Sequence, residues 1–173
     1  MSFLKSIENN SKQFNDPFTH WELNKPLTEG QIKEIINADI DNPVEHNLNY
    51  DGTRAIDGGE GIYREGHSDG GKALKFRCFI TKENYKDFPN LTNFIEELQK
   101  KETHEKVSSL IGKDLSNAYV RVEVICDRKG FWLKPHCDIK EKLMSCLLFV
   151  NEFNESEDLG TDFYDKDLNK VKT

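Results

Sequence analysis

The sequence predicts an α+β domain that is mainly β, and three stretches predict it. Residues 119–126 (Tyr119-Val120-Arg121-Val122-Glu123-Val124-Ile125-Cys126) are rich in β-branched side chains and alternate with the two-residue period of a half-buried strand. Residues 143–150 form a continuous apolar run with the length and flanks of a buried strand. Between residues 91 and 111 the period changes. Phe94, Ile95 and Leu98 share one helical face, and Val107, Leu110 and Ile111 repeat that spacing after Thr103. These predict two helices, or one bent helix, covering the outside of a sheet.

The 173 residues suffice for one domain with a proper core and are too few to argue for two. Residues 1–16, rich in Asn, Ser, Lys and Gln, read as a loosely ordered lead-in, so the single domain is expected over residues 17–173. Residues 17–23 read as an edge strand with Phe18, His20 and Glu22 on one side and Thr19, Trp21 and Leu23 on the other. A helix start follows, with Thr28 as N-cap and Gln31 as its capping-box partner. Ile32, Ile35 and Ile36 should carry that helix to about Ala38, packed by its isoleucine face on a sheet. Residues 39–71 read as loop, punctuated by Asn42-Pro43, Asp51-Gly52, Asp57-Gly58-Gly59 and Asp69-Gly70-Gly71. Their glycines match neither phosphate-binding spacing, so loop chemistry is the reading preferred for them. Residues 73–80 alternate as a strand burying Leu74, Phe76, Cys78 and Ile80, and Thr81 can cap a short turn through Tyr85. After an acidic loop at 151–158, residues 160–165 read as a short strand and Asp167-Leu168-Asn169 as a hairpin turn.

Composition narrows the function. A formal net charge of -7 argues against a phosphate-backbone partner, so nucleic acid is not expected as the main one. No stretch approaches the apolar length of a membrane span, and the first residues lack the apolar core of a signal peptide. Cys78, Cys126, Cys137 and Cys146 show no C-x-x-C spacing, which fits a reducing, cytoplasmic setting. Eleven Phe, five Tyr and two Trp supply large buriable surfaces that argue against global disorder.

The chemistry concentrates in Gly130-Phe131-Trp132-Leu133-Lys134-Pro135-His136-Cys137-Asp138. On a strand His136 and Asp138 project from one face while Cys137 points away. An imidazole and a carboxylate are two of the three ligands of the facial triad that binds non-haem Fe(II) with open positions for substrate and O2. The bland alternative is a hydrogen-bonded His-Asp pair at a strand end. A second H-x-D, His67-Ser68-Asp69, is flanked by Gly66 and by Gly70-Gly71, a flexible context where a rigid one is wanted to aim ligands. His20, His46 and His104 have no ligand partner at metal spacing.

A strand with Arg121 and Glu123 is followed in order by Gly130-x-x-x-x-Pro135-His136-x-Asp138, then Cys146-Leu147-Leu148-Phe149-Val150-Asn151, then Leu159-Gly160-Thr161-x-Phe163-Tyr164. This succession resembles the Fe(II)/2-oxoglutarate-dependent dioxygenases, especially their prolyl-4-hydroxylase-like branch. The resemblance implies a double-stranded β-helix, a cupin-like jelly roll with supporting helices. Its mouth would hold Fe(II) on His136, Asp138 and a later histidine. 2-Oxoglutarate would chelate the metal, its distal carboxylate held by an Arg or Lys, and its oxidative decarboxylation would drive hydroxylation of a C–H bond. The chain departs from the pattern. No His or Arg follows Asp138, and Phe149 stands where many relatives carry Tyr. The distal histidine ligand and an arginine anchor are therefore not in this chain after Asp138, and an oxygenase domain inactive as it stands is expected, its last strands missing because the sequence stops in what reads as the start of another strand; a histidine elsewhere in the chain is the other way the site could be completed. The alternative is a non-catalytic jelly-roll binding or interaction domain.

Arg121 and Glu123 would either line the barrel or form a surface pair. Tyr164 would either meet substrate through its hydroxyl or pack through its ring. The expected partners are a small-molecule or peptide substrate and, through unpaired edge strands, a second copy of the chain.

Overall fold

The structure, a computed structural model, describes residues 3–38, 40, 75–127, 135–150 and 160–173. Among them are four α-helices, α1 (Phe3–Asn10), α2 (Glu29–Ile36), α3 (Pro89–Leu98) and α4 (Lys101–Ile111), and six strands, β1 (Ser11–Phe14), β2 (His20–Leu23), β3 (Lys75–Phe79), β4 (Glu123–Asp127), β5 (Phe163–Tyr164) and β6 (Lys170–Lys172). The strands pair as three antiparallel two-stranded sheets, β1–β2, β3–β4 and β5–β6.

Residues 1–16, expected as a loosely ordered lead-in, contain α1 and β1. Phe3, Ser6 and Ile7 lie at helical spacing and are buried. The Phe3 ring meets Phe94 of α3 edge-on, with centroids 5.5 Å apart. The Glu97 carboxylate accepts from Leu4 N at 3.1 Å, meeting a backbone donor that the first turn of α1 leaves open. Ser6 Oγ donates to the Asn24 carbonyl at 3.0 Å, and Lys106 pairs with Glu8 at 3.0 Å. A polar helix with one short apolar face is stable here because α3 and α4 cover that face.

α2 begins with the capping box expected of Thr28 and Gln31: Gln31 N donates to Thr28 Oγ1 at 3.3 Å and Thr28 N to Gln31 Oε1 at 2.8 Å. The expectation that its isoleucine face lies on a sheet needs amendment. α2 packs on α3, Ile35 touches both core clusters, Ile32 only one, and Ile36 is exposed. Gly30 permits this approach, since a Cβ there would stand 2.9 Å from Asn90 Oδ1.

α3 takes Pro89 in its first turn, where the missing N–H costs nothing, but its N-cap Phe88 has no side chain to offer. Glu34 of α2 performs that task. Its Oε1 accepts from Asn90 N at 3.0 Å and Asn90 Nδ2 at 3.1 Å, and its Oε2 accepts from Leu91 N at 2.7 Å. Charge-assisted bonds to otherwise open helix donors are worth more than neutral ones, so Glu34→Ala is expected to cost about 1–2 kcal/mol. A thermal melt should then fall by about 3–6 °C, and an unchanged melt would remove Glu34 from this role. α4 ends at Gly112, whose φ of 66° is the left-handed conformation that glycine adopts without strain.

The strands expected around residues 73–80 and 119–126 are β3 and β4, paired from Lys75↔Asp127 to Phe79↔Glu123. Cys78 and Ile80 are buried as expected and join Phe88, Leu91, Ile95 and Val124 in one cluster. Burial pushes the Cys78 thiol up to about 11, against a smaller opposing effect of the Asn84 hydrogen bond. Cys78 is therefore a neutral packing residue near neutrality. Thr81 Oγ1 accepts from Glu83 N at 3.4 Å, leading into a 3-10 turn at Tyr85–Asp87. The second cluster joins Phe3, Ile7, Leu27, Phe94, Val107 and Leu115.

The C-terminal hairpin forms as expected: Asp165 N donates to the Asn169 carbonyl at 2.9 Å, and Asp165 Oδ1 accepts from Asn169 N at 2.9 Å. Residues 143–150 depart from the buried strand expected of them. They carry no regular secondary structure, Leu143, Met144, Leu147 and Phe149 are exposed, and only Leu148 and Val150 pack on the second cluster.

Candidate functional site

The H-x-D pair lies in residues 135–139, an irregular segment in which both His136 and Asp138 are exposed; the preceding residues 131–134 fall outside the described part of the chain. A single helical-type turn follows, closed by Lys142 N donating to the Ile139 carbonyl at 3.1 Å. That turn brings Lys142 and Ser145 back to Asp138. Lys142 Nζ pairs with Asp138 Oδ1 at 2.7 Å, and Ser145 Oγ donates to Asp138 Oδ2 at 3.1 Å. Both carboxylate oxygens are thus oriented. Ligating carboxylates are commonly held by hydrogen bonds of this kind, which aim them before a cation arrives. The residues involved escaped notice in the sequence, although the four-residue spacing of Asp138 and Lys142 is the one signal that pointed to them.

Cys137 is exposed, so it takes no part in the core. No group of three or more His, Cys, Asp or Glu side chains among the described residues is gathered as a metal site. Among the described residues the donor set, one imidazole and one carboxylate two residues apart, fits two positions of a facial triad, with no third donor beside them. No reaction step follows from two donors. The rival pair His67 and Asp69, together with His46 and the glycine-rich turns, lies outside the described residues.

Arg121 Nε pairs with Glu123 Oε1 at 2.9 Å, and the guanidinium lies 5.3 Å from the centroid of the Phe79 ring. Phe79 is the cross-strand partner of Glu123, so the three side chains form one patch on the β3–β4 ribbon. Tyr164 lies in β5 opposite Lys170. Hydrogen bonds, chiefly from Lys170 and then Thr173, hold the nearby Asp162 carboxyl below the usual range, with a minor contribution from Tyr164. His104 Nδ1 lies 3.2 Å from the Leu115 carbonyl, which makes it a bond between α4 and the following loop.

Comparisons with protein-family models, with curated proteins and with solved structures find no match to this chain. Among the described residues, no helix is long and apolar enough to cross a membrane.

Proposed function

We propose that the chain is an Fe(II)/2-oxoglutarate-dependent oxygenase-like domain built on a double-stranded β-helix, with His136 and Asp138 as metal ligands, and that it is catalytically incomplete as it stands. The observation that supports this reading most is the setting of the pair. Asp138 is oriented at both oxygens by Lys142 and Ser145. Shortly beyond, Leu148 and Val150 seat on the helix-covered core while Leu147 and Phe149 face away, 54% and 62% exposed. Residues 143–150 carry no regular secondary structure, but their alternating exposure is the pattern that a jelly-roll strand backed by helices would show.

Fe(II) with 2-oxoglutarate would supply the oxidising power for hydroxylating a small-molecule or peptide substrate. The chain's own residues would bind and orient: His136 and Asp138 the metal, Arg121 and Tyr164 the substrate side. No His or Arg follows Asp138, so this reading assigns no residue as third ligand or arginine anchor. A titration with Co(II), with and without 2-oxoglutarate, tests the assignment, and absence of any binding that depends on His136 would defeat it.

The second reading is a non-catalytic jelly-roll binding or interaction domain. The Asp138–Lys142 ion pair favours it, because an ammonium already neutralises the carboxylate. Binding of a sugar or peptide that persists in chelator would select this reading.

A cytoplasmic location accords with four free cysteines. Each sheet is two-stranded among the described residues, and such ribbons offer edges to another chain. Self-association through an edge is expected to give a scattering mass at least twice that of one chain, and a monomeric mass would refute it.

A further inference from the structure

We infer that residues 143–150 form the edge through which the chain pairs with a second copy of itself, antiparallel and across a two-fold axis at Leu147. The inference rests on the self-association proposed above and assigns it a surface. No backbone hydrogen bond joins residues 143–150 to any other described residue. Their side chains nevertheless alternate, Leu148 and Val150 packing on the second core cluster while Leu147 and Phe149 are exposed. Anchored by alternate side chains and open along its backbone, the segment has what a strand needs except a neighbour to supply the ladder.

The other edges are protected against such pairing and this one is not. β1 carries Lys12, β2 Glu22, β3 Lys75 and Arg77, β4 Glu123 and Asp127, and β6 Lys170 and Lys172, while β5 has only two residues. Charges along an edge, lysine above all, deter a second strand. Residues 143–150 hold no charged residue and no proline, the composition that pairs most readily between chains. Area points the same way. Ile139, Leu143, Met144, Leu147 and Phe149 are between 41% and 62% exposed. Together they present on the order of 500 Å² of apolar surface, as much as the largest patch usual on a monomer. With the backbone between them, two such faces approach the roughly 800 Å² per partner that a stable complex buries.

Charge selects the occupant and the direction. Lys140 and Lys142 precede the run, and Glu152, Glu155, Glu157 and Asp158 follow it with no Lys or Arg among residues 151–158. Parallel pairing in register would set each acidic end beside its own copy, a like-charge opposition that destabilises. Antiparallel pairing sets the basic end of one copy toward the acidic end of the other, twice by symmetry. Lys142 lies as far before Leu147 as Glu152 lies after it, so an axis at Leu147 makes these two positions opposite each other. In that register Leu147 faces Leu147, Ser145 faces Phe149 and Cys146 faces Leu148.

The test uses the full chain. Leu147→Lys opposes two ammonium groups across the axis, and light scattering should show the dimer dissociation constant raised at least about tenfold. Tyr119→Lys, at a position 82% exposed and outside the run, should leave it unchanged. Leu147→Cys, with Cys137→Ser and Cys146→Ser to remove the exposed thiols, should cross-link to itself with oxidised glutathione as oxidant. The rate should exceed that of Tyr119→Cys in the same background at least about tenfold, because facing β-carbons on antiparallel strands lie within disulfide reach. Phe149→Cys in that background faces Ser145 and should cross-link to itself no faster than the Tyr119 control. A monomeric native chain overturns both this edge and the self-association it rests on. A dimer indifferent to Leu147→Lys, with no preferred cross-link at 147, overturns this edge alone and leaves self-association standing through another. Rapid self-cross-linking at 149 overturns the antiparallel arrangement.

Discussion

Replacing Phe3 with alanine is expected to lower the unfolding free energy by about 3 kcal/mol, the lower end of the range for a buried phenylalanine. The ring is buried against Phe94 in the cluster that α1, α3 and α4 share, and α1 has no other large aromatic to fill the space. Truncation would remove the transfer free energy of the ring and leave a cavity beside Ile7, Phe94 and Val107. The shortness of α1, eight residues, places the loss at the lower end of that range, because so short a helix can detach in part. In a urea titration the midpoint should move down by about 1–2 M with little change of slope. A loosely ordered lead-in would give a shift near zero, so this single variant separates the two descriptions of residues 1–16.

His136→Ala is expected to weaken Co(II) binding at least about tenfold, equivalent to about 1.4 kcal/mol. Asp138→Asn should act in the same direction, since both donors are needed to make even two-thirds of a facial triad. The ion pair with Lys142 would be a small obstacle to such binding. The side chains of Lys142 and Asp138 are 28% and 44% exposed, and exposed pairs are worth about 0–1 kcal/mol. Displacing the ammonium thus costs a factor of about five at most, less than the loss expected from removing the imidazole. The Co(II) visible spectrum gives the measurement. Equal affinities in the native chain and in both variants would mean that the pair holds no metal, and the interaction-domain reading would then be preferred.

Features of the fold that depend on near neighbours were legible in the sequence. The capping box needs only Thr28 and Gln31, which lie within one helical turn. The alternation of β4, the apolar face of α3 and the turn at Asp165–Asn169 are likewise set by side chains a few positions apart. What the sequence determined that bears on function is the identity of two candidate donors, an imidazole at 136 and a carboxylate at 138.

The rest depends on groups far apart in the chain, and only the tertiary structure decided it. Phe3, Ser6 and Ile7 form a helix face that is too short to be stable alone and becomes so when α3 and α4 cover it. The N-terminus of α3 is capped by Glu34, 56 and 57 residues away, where its own N-cap phenylalanine offers nothing. His20 meets Lys172 across 152 residues, a pairing that no local pattern encodes. Residues 143–150 were apolar enough to be read as buried, yet burial is a property of what packs against a segment, and here only Leu148 and Val150 find the core. The orientation of Asp138 arises the same way, from a turn that returns Lys142 and Ser145 to its two oxygens. Periodicity and capping specify which local structures form, while the free energy that selects their partners comes from desolvation and hydrogen bonding between distant groups once the chain has closed.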